Sequence, residues 1–225
     1  MDARLTLLSV IVPTLNEAQG IRAALEALAP LRARGHEIIV VDGGSADGTG
    51  ALAQPLCDRV VQSARGRALQ MNAGARAATG DALLFLHADT RLPVQADELI
   101  LQALRFSTWG RFDVEIESGR SLLKVVACAM NLRSRLTGIA TGDQAIFVRR
   151  DVFAGFPEIA LMEDIAFSAA MKRGGRPACL RSRAVTSARR WESRGVLRTI
   201  VLMWRLRLLY FLGAAPERLA RLYDA

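Results

Sequence analysis

Carboxylates recur in this chain just after short apolar runs, where a folded sheet would present them to a ligand. The run ending at Pro13 leads into Asn16-Glu17. Ile38-Ile39-Val40-Val41 closes on Asp42-Gly43-Gly44-Ser45-Ala46-Asp47-Gly48-Thr49, and Ala82–Leu86 ends in His87-Ala88-Asp89. Another acidic pair, Glu163-Asp164, opens a helical stretch, and Arg65-Gly66-Arg67 places cations shortly after Val60-Val61. Side chains of these types accept N–H donors, hold a hard divalent cation, take a proton from a hydroxyl or offset phosphate charge. Other chemistries lack their residues. The turn from Pro13 to Gly20 has no Gly-x-Gly-x-x-Gly to bring a pyrophosphate onto a helix N-terminus, and no Gly-x-x-x-x-Gly-Lys-[Ser/Thr] loop occurs anywhere. Cys57, Cys128 and Cys179 are too far apart for a paired-cysteine metal or redox motif.

The elements that must position these residues are readable from periodicity. Leu7–Val12, His36–Val41, Val60-Val61 and Ala82–Leu86 read as buried strands. Helical stretches follow over residues 17–34, 47–55 and 67–78. Strands alternating with helices imply an α/β fold with a mostly parallel sheet in three αβα layers, in which ligands sit beyond the carboxyl ends of the strands. The second half is less regular: helices over 93–104, 122–136 and 162–173, and strands over 111–117 and 145–148. An apolar segment from Gly195 to Leu212 and a last amphipathic helix follow. The opening Leu5–Val12 run has no basic n-region or small-residue cleavage site, so it reads as a strand rather than a signal peptide.

The ordered set Val10-Ile11-Val12-Pro13-Thr14-Leu15-Asn16-Glu17, Val40-Val41-Asp42-Gly43-Gly44-Ser45-Ala46-Asp47-Gly48-Thr49, Arg65-Gly66-Arg67 with Asn72-Ala73-Gly74, and Phe85-Leu86-His87-Ala88-Asp89 resembles the GT-A glycosyltransferases of family 2. The likeness is strong over residues 7–90 and reaches Glu163-Asp164 more loosely; the rest resembles a small bacterial subgroup of these enzymes. It implies a single catalytic GT-A domain over 1–225. Residues 1–90 would form the nucleotide-sugar half, 91–190 the acceptor and catalytic half, and 191–225 basic amphipathic C-terminal helices.

The resemblance also implies roles. Pro13, Asn16, Glu17, Asp42, Gly43, Gly44, Asp47, Arg65, Gly66, Arg67 and Ala88 would surround a nucleotide-diphosphate sugar, UDP-linked for preference. Asp42 would accept the imide N–H of the base. Asp42 and Asp47 equally suit turn and N-cap chemistry, and Arg65 and Arg67 a solvated turn. Asp89 stands at the last position of the family's Asp-x-Asp metal motif, and His87 replaces the first. It would hold Mn²⁺ or Mg²⁺ against the diphosphate, with the imidazole tilting the choice toward manganese. His87 otherwise caps the strand through a hydrogen bond. Asp164, with Glu163 beside it, would take the proton of the acceptor hydroxyl in an in-line, inverting transfer of one sugar; both acids also suit a helix N-terminus by charge alone. Trp109, Asp143, Gln144, Arg190 and Trp191 fall on the acceptor side by the same likeness, or serve as turn chemistry.

Charge is unevenly placed. Residues 1–171 carry 17 basic against 19 acidic side chains and residues 172–225 carry 13 against 3, for a net charge of +8. Arg194, Arg198 and Arg205 share roughly one helical face with apolar neighbours. That face suits an anionic membrane surface, where a lipid-linked acceptor would be met, or packing against the core or a second copy in a homodimer. Arginines interrupt the segment well short of the roughly 20 apolar residues a span requires. Few aromatics and no reading motif argue against nucleic acid as partner. A nucleotidyltransferase built on the same nucleotide and metal residues is the neighbouring enzyme class. Sparse, odd-numbered cysteines fit a reducing compartment, so a cytoplasmic protein is expected, with peripheral attachment to the inner face of the membrane left open.

Overall fold

Alternate residues of the first strand, β1 (Leu8–Thr14), enter different cores: Leu8, Val10 and Val12 join one apolar cluster and Ile11 another. A strand buried on both faces needs helices on both, and the chain supplies them. The computed structural model describes residues 5–224; the side chains of Arg190 and Asp224 are outside the described residues. After β1 come α1 (Ile21–Glu26), α2 (Ala29–Ala33), β2 (Glu37–Asp42), α3 (Thr49–Ala53), β3 (Arg59–Gln62), α4 (Arg67–Ala77) and β4 (Ala82–Phe85). The second half contains β5 (Thr90–Arg91), α5 (Ala96–Ala103), β6 (Trp109–Glu117), α6 (Ser121–Thr137), β7 (Ile146–Arg149), α7 (Glu163–Met171), β8 (Ala178–Ser187), α8 (Arg189–Arg194), α9 (Val196–Phe211) and α10 (Pro216–Asp224).

All eight strands form one sheet in the order β3-β2-β1-β4-β7-β6-β8-β5. The block β3-β2-β1-β4 is parallel and so is β6-β8, whereas β7 runs antiparallel to both β4 and β6, and β5 to β8. One face packs on Ile21, Leu25, Leu31, Ile100 and Leu104, the other on Ala68, Met71 and Phe167. The expected three-layer α/β architecture is therefore present.

Small residues let α4 lie close to the sheet. A Cβ at Gly74 would overlap Ile11 and come within 2.9 Å of Val41 Cγ2. The stretch over 17–34 is two short helices rather than one. Pro30, in the first turn of α2, has no N–H to continue the ladder from α1. Strand β8 was not evident from the sequence. Arg181 and Arg183 break its apolar alternation, and a bulge between Phe112 and Asp113 of β6 offsets its register.

Candidate functional site

Two turns beyond β1 and β2 are braced against each other. Asn16 sits at φ 54°, donates its amide N–H to Ser45 Oγ (2.9 Å), and accepts the Ala46 N–H at Oδ1 (3.0 Å). Asp47 Oδ2 accepts the Ala18 N–H (2.9 Å) and its Oδ1 the Thr49 N–H (3.0 Å). The Thr49 hydroxyl and the Ala18 amide hold Asp47 below the usual carboxylate range. Asp42 is buried: Oδ1 accepts the Ser45 N–H and hydroxyl, and Oδ2 accepts the Gln62 amide at 3.3 Å. Gly43 is needed for room, since a Cβ there would press on the Gln70 amide at 3.0 Å. That amide donates to Thr14 O and Val41 O. Gly44, at φ +88°, makes the turn possible.

In front of these turns lies a cleft of about 690 Å³. Pro13, Leu15 and Glu17 form one side, Arg65, Gly66 and Arg67 the floor toward α4, and His87, Ala88 and Asp89 the end of β4. The opposite wall comes from Asp143, from Thr186 and Ser187 at the end of β8, from Arg189, Trp191 and Arg194 of α8, and from Thr199 and Met203 of α9. Glu17 and Arg189 pair across the rim at 3.2 Å.

A much smaller cavity, about 10 Å³, adjoins it and is bounded by Arg67, His87, Gly142, Glu163 and Asp164. Asp164 Oδ2 accepts the Gly142 N–H (3.0 Å) and Oδ1 the Ile165 N–H (2.7 Å), which fixes the carboxylate at the start of α7. Glu163 is only 4% exposed; burial, and then the neighbouring Asp164 charge, push its carboxyl up, and Arg67 at 3.8 Å opposes them. Burial works against the Arg67 charge, but Glu163, Asp143 and Asp164 outweigh it and its pKa is raised. His87 Nδ1 lies 3.3 Å from Asp143 Oδ1. Its Nε2 is buried without a hydrogen-bond partner against Gly142, where a Cβ would come within 2.5 Å.

The sequence-derived residues therefore divide by place. Pro13, Glu17, Arg65, Gly66, Arg67, His87, Ala88, Asp89, Asp143 and Trp191 line the cleft, and Glu163 and Asp164 border the cavity beside it. Asn16, Asp42, Gly43, Gly44 and Asp47 form the turns behind and do not line it. Trp109 is fully buried with its indole N–H on Gly175 O (3.1 Å). Gln144 is fully buried in its own turn, donating to Asn131 Oδ1 at 3.3 Å, so of the acceptor-side residues with described side chains Asp143 and Trp191 line the cleft. Arg190 belongs to α8, with its side chain outside the described residues. Arg189 and Met203 line the cleft too, and Gln70, Thr186, Ser187 and Thr199 line it without having been singled out. A strand at 178–187 was the missing signal for two of them.

Among the described residues no trio of His, Cys, Asp or Glu forms a ready metal cage. The donor set instead fits a cation brought with phosphates, since such ions bind through one or two carboxylates and otherwise through substrate oxygens and water. Asp89 is exposed in the cleft within the same turn as His87, in a lining that also holds Arg65 and Arg67, and would supply that carboxylate.

A mixed sheet whose strand ends gather carboxylates and arginines in one cleft is suited to hold a phosphorylated ligand. Residues 9–121, half of the chain, match Glycosyl transferase family 2, and the chain belongs to that family. A curated relative, "PGL/p-HBAD biosynthesis glycosyltransferase" of Mycobacterium tuberculosis (strain ATCC 25177 / H37Ra), is 31% identical over 172 residues, covering 64% of this chain and 60% of the relative. The chain thus spans less than two thirds of that relative's length. Among solved structures, S. aureus TarS 1-349 in complex with UDP-GlcNAc superposes with a TM-score of 0.66 at 22% identity, covering 81% of this chain and 58% of that one. Mannosyltransferase PcManGT from Pyrobaculum calidifontis, in complex with GDP-Man and Mn²⁺, gives 0.63 at 23% identity over 96% of this chain and 68% of that one. The shared fold is GT-A.

Proposed function

We propose that the chain transfers one sugar, with inversion, from a nucleotide-diphosphate sugar to a hydroxyl acceptor. The observation that carries this reading is the single cleft in which Glu17, Arg65, Arg67 and Asp89 meet, with Asp164 bordering the cavity that adjoins it. Arg65 and Arg67 would face the donor diphosphate, and Asp42, behind the cleft, would reach the base only if the Ser45 hydroxyl yields its place. Asp164 takes the acceptor proton as that oxygen forms its bond to C1 and the bond from C1 to the diphosphate oxygen breaks, releasing the nucleoside diphosphate. A divalent cation held by Asp89 would supply charge to the leaving diphosphate. UDP is the preferred donor base in this reading, and Mn²⁺ the preferred ion.

The acceptor is proposed to be lipid-linked, met at an anionic membrane surface. Along α9, Leu197, Val201, Trp204, Leu208 and Phe211 are all more than half exposed and recur at helical spacing, with the exposed arginines Arg198 and Arg205 beside them. On α6, Val125, Leu132 and Leu136 are exposed likewise. No helix of the described residues is long and apolar enough to cross a membrane, so attachment would be peripheral.

The test is a thermal-shift panel of UDP, GDP and TDP with and without Mn²⁺ on the wild type and on Asp89→Ala. UDP with Mn²⁺ should stabilise the wild type most, and the metal-dependent part should vanish in Asp89→Ala. Stabilisation by none of the three would overturn the donor reading; metal dependence that persists in the variant would overturn the assignment of Asp89.

A further inference from the structure

Leu123, Ala127 and Met130 of α6 and Val196 and Ile200 of α9 belong to one apolar cluster. Continuing each helix by its own spacing leads from Met130 to Arg133 and from Ile200 through Met203 to Arg207. Among the described residues neither arginine has an acid within ion-pair distance, although the Asp164 charge favours both from further off. Arg133 Nε and Nη2 and Arg207 Nε are buried without a hydrogen-bond partner, as is Nε of the fully buried Arg111. Of the acids near Arg111, Asp113 is already shared with Arg135. Burial, then repulsion by Arg207, pulls Arg133 down to about 10. Burial also lowers Arg207, against the pull of Asp164 and Asp143.

Two like charges with unmade hydrogen bonds are costly to bury, and an oxyanion supplies what both lack. The location says which one. Thr199 and Met203 line the large cleft, and Arg207 follows them at i+8 and i+4, one turn further along the same face of α9. Both arginines feel the charge of Asp164, and both come from the half of the chain opposite Arg65 and Arg67. Resting on the transferase reading above, we propose that Arg133 and Arg207 form a subsite for a phosphate group of the acceptor, leaving the acceptor hydroxyl toward Asp164. The phosphate is that of a lipid headgroup or of a small soluble phosphoester; both present the same dianionic or monoanionic oxygens to a guanidinium.

The probe is inorganic phosphate on the full chain, without metal, against sodium chloride at matched ionic strength. Phosphate should raise the wild-type melting temperature by about 2–4 °C at several times its dissociation constant. Arg133→Met and Arg207→Met should lose at least half of that rise while melting no lower than wild type in chloride, because an unpaired buried charge has been removed. Arg207→Lys should keep part of the rise, and Arg205→Met, on the exposed face, all of it. An unchanged phosphate response in both methionine variants, or an equal response to chloride, overturns the subsite. UDP with Mn²⁺ is run in parallel. If its stabilisation falls with Arg207→Met as far as that of phosphate, the arginines serve the donor and the acceptor assignment is wrong. If UDP fails on the wild type while the phosphate response follows the arginines, the transferase reading falls and the anion subsite stands. Glycerol 3-phosphate and vesicles containing phosphatidic acid, each tested for dependence on Arg207, distinguish a soluble from a lipid source.

Discussion

Asp164 is held by Gly142: the glycine N–H donates to Oδ2 at 3.0 Å, which ties the first turn of α7 to the turn that carries Asp143 into the cleft. A carboxylate fixed at both oxygens is aimed rather than free to swing, and aiming is what proton transfer to a positioned base requires. Asp164→Asn keeps the shape, can still accept from Gly142, and loses the bond from the Ile165 N–H. Turnover should fall about 10²- to 10⁴-fold with the donor KM within about twofold. The melting temperature should drop by only about 2–4 °C, for one hydrogen bond of about 1 kcal/mol. Steady-state kinetics beside a melting curve checks this, and a variant with wild-type turnover would remove Asp164 from the chemistry.

Glu163, immediately before it in the chain, has the opposite character. It is buried and its carboxyl is raised, by burial first and by Asp164 second, so the folded state binds its proton more tightly than the unfolded chain does. The stability it contributes is then fully present below the unfolded value near 4.5 and is lost as pH rises through the higher folded value. Glu163→Gln should flatten the stability profile above pH ~4.5 and stabilise the protein near neutrality by about 1 kcal/mol. Urea melts from pH 4.5 to 8 read this directly. Arg67→Gln removes the cation 3.8 Å from Glu163 and should steepen the same profile.

How far these residues were legible from the chain follows from how each is positioned. The β1, β2 and β4 ends were readable because strands buried on both faces are continuous apolar runs, and whatever follows them lies on one edge of the sheet. Asp42, Asn16 and Asp47 carry the same signal as Asp89, yet the structure uses them as turn braces and leaves Asp89 in the cleft. Residue type and spacing do not distinguish a carboxylate that caps a turn from one that meets a ligand, because both need the same strand end. The far wall was hidden because β8 and its contacts are non-local: its arginines obscure the alternation, and its partner β6 lies some 70 residues earlier in the register Arg111 to Cys179. Arg133 and Arg207 left no trace, since each reads as a solvated basic residue until α6 and α9 are packed together.

Away from the cleft, a buried acid governs the acid limb of stability. Asp97, 3% exposed, accepts a bidentate pair of bonds from Arg34 (2.7 and 2.8 Å) and one from His36 Nε2 (2.8 Å). His36 Nδ1 accepts the Leu8 N–H at 3.3 Å, which leaves Nε2–H to donate to Asp97. Burial opposes the charge, but the Arg34 and His36 bonds outweigh it and hold Asp97 down at about 2. A depressed carboxylate stabilises above its unfolded value and ceases to as pH falls through the folded one. The contribution, about 2 kcal/mol, should be intact at pH 5 and lost between pH ~4 and ~2. In Asp97→Asn that acid limb should be shallower and the protein less stable at pH 7 by about 2–4 kcal/mol. Chemical denaturation at pH 7 and at pH 3 measures both, and equal losses at the two pH values would exclude the linkage.

The cleft depends on α4 lying close to the sheet, because Arg67 begins that helix and Gln70 and Asn72 lie within it. Gly74 sets the approach. A methyl group there would meet Ile11 and the Val41 Cγ2 atom at 2.9 Å, both fully buried side chains of central strands. Gly74→Ala gains about 1 kcal/mol of helix propensity, yet overpacking should cost about 1–3 kcal/mol beyond it. If the helix tilts outward to make room, Arg67 moves with it, Gln70 loses its bonds to Thr14 O and Val41 O, and Asn72 loses those to Phe156. The expected result is a lower melting temperature together with weaker nucleoside diphosphate binding, although residue 74 does not line the cleft. Gly20→Ala meets no atom within 4 Å and serves as the control, which should leave both unchanged. A Gly74→Ala protein as stable as the wild type would show that the helix has slack the packing does not suggest.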